Sequence, residues 1–223
     1  MNAAPNVAPP RWFIGGWAFG PRALAQLLSE ADRPCPARCW TADEWAHGGA
    51  AALDDPAQPP VELVGWSLGA LHALAAARWR PARIARLTLW AGTARFTATD
   101  GYACGVPESE LRALGRALRR APETTLTAFF RRAAAPEALS DETASAWVRE
   151  ALAAGLPPLL DGLERLRALD LRAEVVGLTM PVALCHGAAD AVIPAAAGVW
   201  LHDRLPGARL TLLPHAGHIG VLR

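Results

Sequence analysis

The sequence has no lysine and almost no net charge. All 22 basic residues are arginine, 21 residues are acidic, and the formal net charge is +1 at pH 7. A chain with so little excess charge has no general electrostatic attraction to nucleic acid, so we expect no such partner. Arginine still binds carboxylates and phosphates well, because its planar guanidinium presents a fork of donors.

Long apolar runs and cysteine-rich motifs are also missing. No apolar stretch approaches the roughly 20 residues that span a bilayer, and residues 1–16 lack the features of a signal peptide. The cysteines include no CxxC and no zinc-type Cys/His cluster. We therefore expect a cytoplasmic protein with no membrane segment and with free thiols, while a bridge between Cys35 and Cys39 stays open as an alternative.

Hydrophobic residues make up 52% of the 223 residues, which is enough for the core of one domain. Short apolar runs alternate with helical patterns along much of the chain, and this alternation predicts a mostly parallel α/β sheet flanked by helices. We predict helices at 21–31, 68–79 and 194–205 and strands at 11–17, 36–40, 61–66, 83–92, 181–187 and 208–214.

The pattern changes over residues 107–169, where only helical segments are found. We predict that these residues form a helical lid, inserted before the last two strands. The sheet core would then consist of residues 1–106 and 170–223.

The segment Gly65-Trp66-Ser67-Leu68-Gly69 has the form G-x-S-x-G and lies between a predicted strand and a predicted helix. This pentapeptide is typical of a nucleophile elbow, in which serine takes a strained backbone conformation on a sharp turn. Glycines two residues to either side avoid a clash between the strand and the helix. Ser67 is therefore a candidate nucleophile.

A serine nucleophile needs a base, and the base needs an orienting acid. Functional groups in an open α/β sheet collect at the carboxyl ends of the strands. Asp190 follows the predicted strand at 181–187, and His215 and His218 follow the last strand. The order serine, acid, histidine is that of the α/β-hydrolases. Asp190 as a helix N-cap and His215 as the base remain alternatives.

The chain resembles the α/β-hydrolases over nearly its whole length, and more narrowly the pimeloyl-[acyl-carrier-protein] methyl ester esterases. The resemblance is carried by LVGWSLGAL, GLERLRALDLRAEVVGLTMPVALCHGAADAVIP and LLPHAGH. It implies Ser67 as nucleophile, Asp190 as acid and His218 as base, because the family's histidine usually follows a small residue in this loop. His47, His72, His186 and His202 are not expected to do chemistry, with a reservation for His186 at a strand end.

The resemblance also implies an oxyanion hole formed by the backbone amides of Leu68 and Trp17. The family often has His-Gly-Trp-Gly where this chain has Gly15-Gly16-Trp17-Ala18. The early hairpin and the closing helix of larger hydrolases are not evident either. These departures put the shape of the loop, and the strength of the activity, in question.

The segment 111–132 concentrates basic residues. On a helix, four arginines share one face, opposite Leu111, Leu114 and Leu118: Arg112, Arg116, Arg119 and Arg120. The resemblance implies that this face binds an acidic acyl carrier protein, and a solvated arginine face is the alternative.

The resemblance further implies that the segment from Phe129 to Ala133 binds substrate. Phe129 and Phe130 would contact the acyl chain, and Arg131 and Arg132 would contact the phosphate or the carrier. Alternatively, both phenylalanines belong to the core of the lid.

The function implied is a serine carboxylesterase that hydrolyses the methyl ester of pimeloyl-acyl carrier protein in biotin synthesis, with no metal or organic cofactor. A general carboxylesterase or thioesterase for small acyl groups is one alternative, since it needs the same triad but not the arginine face. A catalytically weakened, hydrolase-like binding protein is another, because the loop at residues 15–18 is altered.

Overall fold

The computed structural model describes residues 8–29 and 36–222, and the described residues form six strands in one parallel sheet. The strand order is β2-β1-β3-β4-β5-β6. The bounds are β1 (Arg11–Ile14), β2 (Arg38–Trp40), β3 (Val61–Trp66), β4 (Ile84–Trp90), β5 (Val182–Gly187) and β6 (Arg209–Leu213). The parallel sheet is confirmed, whereas Cys35 and the end of the first predicted helix lie outside the described residues.

Burial explains which segments became strands. β3 lies between β1 and β4 and is buried along almost its whole length, which suits its run of apolar residues. β6 is one of the two edge strands, and its residues are exposed or half-buried. The carboxyl ends of all six strands lie at the same end of the sheet. Ser67 follows β3 and therefore lies at the same end as the loops after β5 and β6.

Eight α-helices are found in the described ranges. They are α1 (Pro21–Ser29), α2 (Ala42–Ala46), α3 (Leu68–Trp79), α4 (Glu108–Arg120), α5 (Pro122–Ala134), α6 (Asp141–Leu152), α7 (Leu156–Ala168) and α8 (Ala195–His202). The sequence prediction missed α2, which begins with a capping box between Thr41 and Glu44. The predicted helix at 194–205 ends three residues early, at His202.

The four helices α4 to α7 follow β4 and precede β5, within the segment that we predicted as a lid. On α4, Leu111 and Leu118 are buried, Leu114 is half-buried, and the arginines are exposed. This agrees with the helix face assigned from the spacing. An antiparallel bridge between Arg95 and Asp170 joins the chain entering the segment to the chain leaving it.

None of the helices within the described ranges has both the length and the apolar character that crossing a bilayer requires.

Candidate active site

Ser67 occupies a sharp turn between β3 and α3. Its backbone has φ 60° and ψ −120°, a conformation that a residue with a side chain rarely adopts. A Cβ on Gly65 would overlap the Gly69 carbonyl oxygen and lie 2.7 Å from the Ala70 Cα, and a Cβ on Gly69 would overlap the Ile14 carbonyl oxygen. The two glycines therefore permit the close contacts of a nucleophile elbow.

Asp190 and His218 form a buried hydrogen-bonded pair. His218 Nδ1 donates to Asp190 Oδ2 over 2.8 Å, and neither side chain is accessible to solvent. Asp190 Oδ1 accepts from the amides of Val192 and Ile193, at 2.8 and 2.9 Å. Asp190 is thus held by its own loop and does not cap α8, which has Pro194 at its N-cap.

Opposing effects act on the pKa of Asp190. Burial by itself raises this pKa. The charge of His218 and hydrogen bonds from His186, His218 and the Ile193 amide outweigh burial and hold the pKa well below its usual range. Asp190 is therefore ionised at neutral pH and can stabilise a protonated histidine.

His218 lies beside the elbow. The indole Nε1 of Trp66, the residue before Ser67, donates to the His218 carbonyl over 3.1 Å. The centroids of the Trp66 and His218 rings are 5.3 Å apart. His218 Nε2 is buried and has no hydrogen-bond partner among the residues that the structure describes. His215, by contrast, is exposed. The geometry thus pairs Asp190 with His218 and not with His215.

The turn after β1 packs against the elbow. A Cβ on Gly16 would lie 3.2 Å from the Ser67 Cβ, so the chain passes very close to the serine here. Leu68 is the first residue of α3, and the first amides of a helix have no carbonyl partner within it. Leu68 directly follows Ser67, and Trp17 lines the same cavity as Ser67. Their role as oxyanion donors stays a prediction.

A cavity of about 440 Å³ opens above Ser67. Its volume falls within the roughly 300–1,000 Å³ typical of small-ligand sites. The walls are mainly apolar and come from the core and from α4, α5 and α7: Trp17, Phe96, Val106, Leu111, Leu114, Ala117, Ala121, Ala128, Phe129, Leu163, Leu166 and Val192. This cavity suits an acyl chain better than a polar ligand.

The residues from Phe129 to Ala133, which the sequence expectation grouped as substrate-binding, lie in different surroundings. Phe129 lines the cavity, whereas Phe130 is fully buried against the rings of Phe19 and Trp147, at 5.1 and 5.5 Å. A helix turns by about 100° per residue, and here that rotation directs Phe130 away from the cavity that Phe129 lines. Phe130 is therefore lid core.

The two residues on either side of Arg132 also lie off the cavity wall. Arg131 forms an ion pair of 2.6 Å with Asp141 of the next helix. The side chain of Ala133 is buried, and its carbonyl accepts from the Ile219 amide over 3.1 Å. This last contact joins the end of α5 to the loop of His218.

Arg132 does line the cavity, and it connects three parts of the protein. Its Nε donates to the Ala191 carbonyl over 2.6 Å, beside Asp190. Its Nη1 lies 3.6 Å from Glu110 Oε2. Arg132 therefore joins α5 both to α4 and to the loop of the acid.

The arginines of α4 differ in their partners. Arg112 pairs with Glu108 over 3.3 Å on the same helix. Arg116, Arg119 and Arg120 form no ion pair with any residue in the described part of the chain. Arg120 also lines the cavity, so the basic face of α4 reaches the cavity at this residue.

His186 is a neighbour of the site that sequence reasoning set aside with a reservation. It lies at the end of β5, where its Nε2 donates to the Ile193 carbonyl over 3.0 Å and lies 3.5 Å from Asp190 Oδ2. Its place at a strand end, four residues before the acid, was the available signal.

A group of potential metal ligands lies at the end of α2 and on α7. Asp43, His47 and Asp161 bring one ligand atom each to within 4.8 Å of the others. Asp161 accepts from Arg165 over 2.7 Å, and His47 Nδ1 lies 3.1 Å from the Asp43 carboxylate. These groups already contact one another or Arg165, so we assign them no metal-binding role.

Comparisons with known proteins show the family and the fold of this chain. No family model matches the chain. A pimeloyl-[acyl-carrier protein] methyl ester esterase from Aromatoleum aromaticum is 34% identical over an alignment of 236 residues, which covers 94% of this chain and 91% of that protein. This chain belongs to that esterase family. A family member from Nitrosomonas europaea is 37% identical over 162 residues, covering 70% of this chain and 63% of the relative's length.

Solved structures agree with the family's fold. An esterase from Exiguobacterium antarcticum superposes with a TM-score of 0.79 at 19% identity, over 95% of this chain and 86% of that chain. A bromoperoxidase from Bacillus anthracis gives a TM-score of 0.81 at 17% identity, over 96% of this chain and 86% of that chain. The fold is that of the α/β-hydrolases.

Proposed function

We propose that this protein is a serine carboxylesterase that hydrolyses the methyl ester of a pimeloyl-acyl carrier protein in biotin synthesis. The observation that carries the proposal is the buried Asp190–His218 pair beside the Ser67 elbow, at the base of an apolar cavity. The names of the relatives supply the substrate. Such a carrier-bound substrate fits a cytoplasmic enzyme.

The first half of the reaction acylates Ser67. Its Oγ bonds to the ester carbonyl carbon while His218 Nε2 takes the hydroxyl proton. Asp190 accepts the Nδ1 hydrogen bond and stabilises the imidazolium. The negative charge that develops on the carbonyl oxygen is held by the amides of Trp17 and Leu68. The bond to the methoxy oxygen then breaks, and this oxygen leaves as methanol with the proton from His218.

The second half releases the acid. His218 takes a proton from water, whose oxygen attacks the acyl carbon, and the Ser67 Oγ departs with that proton. His218 Nε2 has no hydrogen-bond partner in the described part of the chain, so it is free to serve as the base. In enzymes of this type, the contact between nucleophile and base often tightens only when substrate is bound.

The cavity and the arginine face fit two parts of one substrate. The apolar walls above Ser67 suit the methylene chain. Arg120 lines the cavity and is exposed, so a chain that leaves the cavity there reaches the basic face of α4. An acidic carrier and the phosphate of its arm are the groups that unpaired arginines bind well.

The activity is tested with two substrates in parallel, pimeloyl-carrier methyl ester and p-nitrophenyl butyrate. The wild-type protein is expected to hydrolyse both, and Ser67→Ala to hydrolyse neither. If only the small ester is turned over, the carrier substrate is wrong and the esterase chemistry stands. If neither ester is hydrolysed, the proposed function is wrong.

The carrier surface is tested by charge reversal. The triple variant Arg116→Glu, Arg119→Glu, Arg120→Glu is expected to raise KM for the carrier substrate by about tenfold or more, since each lost contact contributes to electrostatic association. The matched control reverses the charge of three exposed arginines near the amino ends of the strands, at the opposite end of the sheet from Ser67. These are Arg78, Arg86 and Arg209. Equal losses on the carrier substrate and the small ester would refute the docking role.

A further inference from the structure

The lid helices α5 and α7 hold the side chain of Trp17. The indole Nε1 donates to the Leu159 carbonyl of α7 over 2.8 Å, in a hydrogen bond buried from solvent. The Phe129 ring of α5 meets the Trp17 ring edge-on at 4.7 Å. Trp17 is only 4% exposed. A residue of the turn after β1 is therefore fastened by its side chain to two helices far along the sequence.

Gly162 of α7 makes room for this ring. A Cβ at position 162 would lie 2.5 Å from the Trp17 Cδ1 and 3.0 Å from its Nε1. Any other residue there would push the indole or the helix away. The hydrogen bond to Leu159 is on the same helix, so α7 sets both the position and the orientation of the ring.

The backbone of the turn does not by itself fix the position of Trp17. Ala18 has φ +66°, a left-handed conformation that is unfavourable for alanine. On the other side, Gly16 packs against the Ser67 side chain. A turn that is strained at one residue and tight at another depends on outside contacts to keep its shape, and the indole supplies them.

Trp17 also lines two cavities. One is the acyl cavity, and the other, of about 270 Å³, has charged residues in its walls: Asp43, Glu44, Glu150, Asp161 and Arg165. Displacement of the indole would join the apolar site to this charged space and admit water beside the oxyanion.

We infer that Trp17 is a positioning residue whose indole couples the lid to the oxyanion turn, so that α7 acts on the chemical step and not only on substrate binding. This inference rests on the proposed function, because it assigns the Trp17 amide to the oxyanion. The side chain acts through its own backbone: the lid fixes the indole, and the indole fixes the direction of the amide.

Trp17→Phe tests the coupling, because it removes the indole N–H and keeps an aromatic ring. Trp147→Phe is a matched control, since Trp147 of α6 makes another indole contact between lid and core, to Gln26 Oε1 over 3.4 Å. With p-nitrophenyl butyrate, we expect kcat to fall about ten- to hundredfold in Trp17→Phe with KM within about twofold, as when an oxyanion donor is misplaced. Trp147→Phe is expected to keep the wild-type kcat.

Two further measurements separate positioning from folding. A trifluoromethyl ketone forms an oxyanion adduct with the serine, so its affinity is expected to fall by the same factor as kcat in Trp17→Phe. Amide exchange in the peptide covering residues 15–20 is expected to be faster in Trp17→Phe than in Trp147→Phe. Gly162→Ala, which displaces the ring without changing Trp17, is expected to reproduce both effects.

The inference is overturned if Trp17→Phe and Trp147→Phe have the same kcat, or if Trp17→Phe changes KM alone. It is also overturned if the inhibitor binds both variants equally. A wild-type protein that hydrolyses no ester refutes the proposed function, and with it the assignment of the amide to an oxyanion. A normal Trp17→Phe enzyme refutes the coupling and leaves the proposed function intact.

Discussion

His186 Nε2 lies 3.5 Å from Asp190 Oδ2, the same oxygen that accepts the hydrogen bond of His218 Nδ1. The acid is therefore flanked by two histidines, one from the end of β5 and one from the loop after β6. His186 also donates to the Ile193 carbonyl, so it fixes the loop that carries the acid as well as the carboxylate itself.

Replacing His186 by phenylalanine is expected to lower kcat/KM for p-nitrophenyl butyrate by about tenfold. The Ile193 carbonyl would lose its donor, and an unsatisfied buried group costs about 1–3 kcal/mol. Steady-state kinetics beside His202→Phe, an exposed histidine of α8, checks this. Equal rates in the two variants would show that His186 does not help to hold the acid.

The width of the cavity between α4 and α5 is expected to limit the length of the acyl chain that can bind. Ala117 lines the cavity, so Ala117→Phe should lower kcat/KM for p-nitrophenyl octanoate by about tenfold or more while the acetate is hydrolysed as before. Ala113→Phe is the matched control, because Ala113 is one turn earlier on α4 and exposed. An unchanged preference for chain length in Ala117→Phe would place the acyl chain elsewhere.

His72 makes the stability of the fold depend on pH. Burial chiefly, and then the positive charge of Arg165, lower the pKa of His72 from 6.5 to about 4. The unfolded chain therefore takes up a proton before the folded protein does. The stability from a neutral His72 is complete above pH 6.5 and is lost as pH falls toward 4, by about 2 kcal/mol between pH 7 and pH 5.

His72→Leu is expected to remove this dependence. The imidazole Nε2 has no hydrogen-bond partner in the described part of the chain, so an apolar side chain of similar size should be tolerated. Urea unfolding at pH 5 and pH 7 measures the effect as a difference between wild type and variant. The same loss of stability in both proteins would mean that another group titrates.

Asp170 joins the two ends of the lid segment. It accepts hydrogen bonds from Arg95 and Arg172, at 2.7 and 2.8 Å, and chiefly the bond from Arg172 holds its pKa well below the usual range. Asp170→Asn is expected to reduce the free energy of unfolding by about 1–3 kcal/mol at pH 7. The stabilisation is present above the unfolded pKa near 4 and declines as pH falls, since protonation of Asp170 weakens both contacts.

Thermal unfolding checks this prediction. At this chain length, each kcal/mol corresponds to about 2–4 °C in Tm. The control is Glu164→Gln, which removes a carboxylate from an exposed pair with Arg167 on one helix and should barely change Tm. A Tm for Asp170→Asn equal to that of the control would show that the Arg95–Asp170 contact does not stabilise the junction between the two ends of the lid segment.

The order of strands and helices was readable from the sequence, because short continuous apolar runs and helical patterns are local properties. The elbow was readable for a similar reason. A serine in its strained turn requires glycines at Gly65 and Gly69, and this steric need leaves a fixed spacing. The short helix α2 was missed, because five residues give too little periodicity to recognise.

The tertiary structure decided which of several similar residues face one another. His215 and His218 are three residues apart in the sequence. In the structure His215 is exposed, whereas His218 is buried and paired with Asp190. Phe129 and Phe130 are adjacent, and the rotation of α5 sends them to different surroundings. The bond between Trp17 and Leu159 joins positions 142 residues apart. No local pattern encodes such contacts, because they form only when the lid packs on the core.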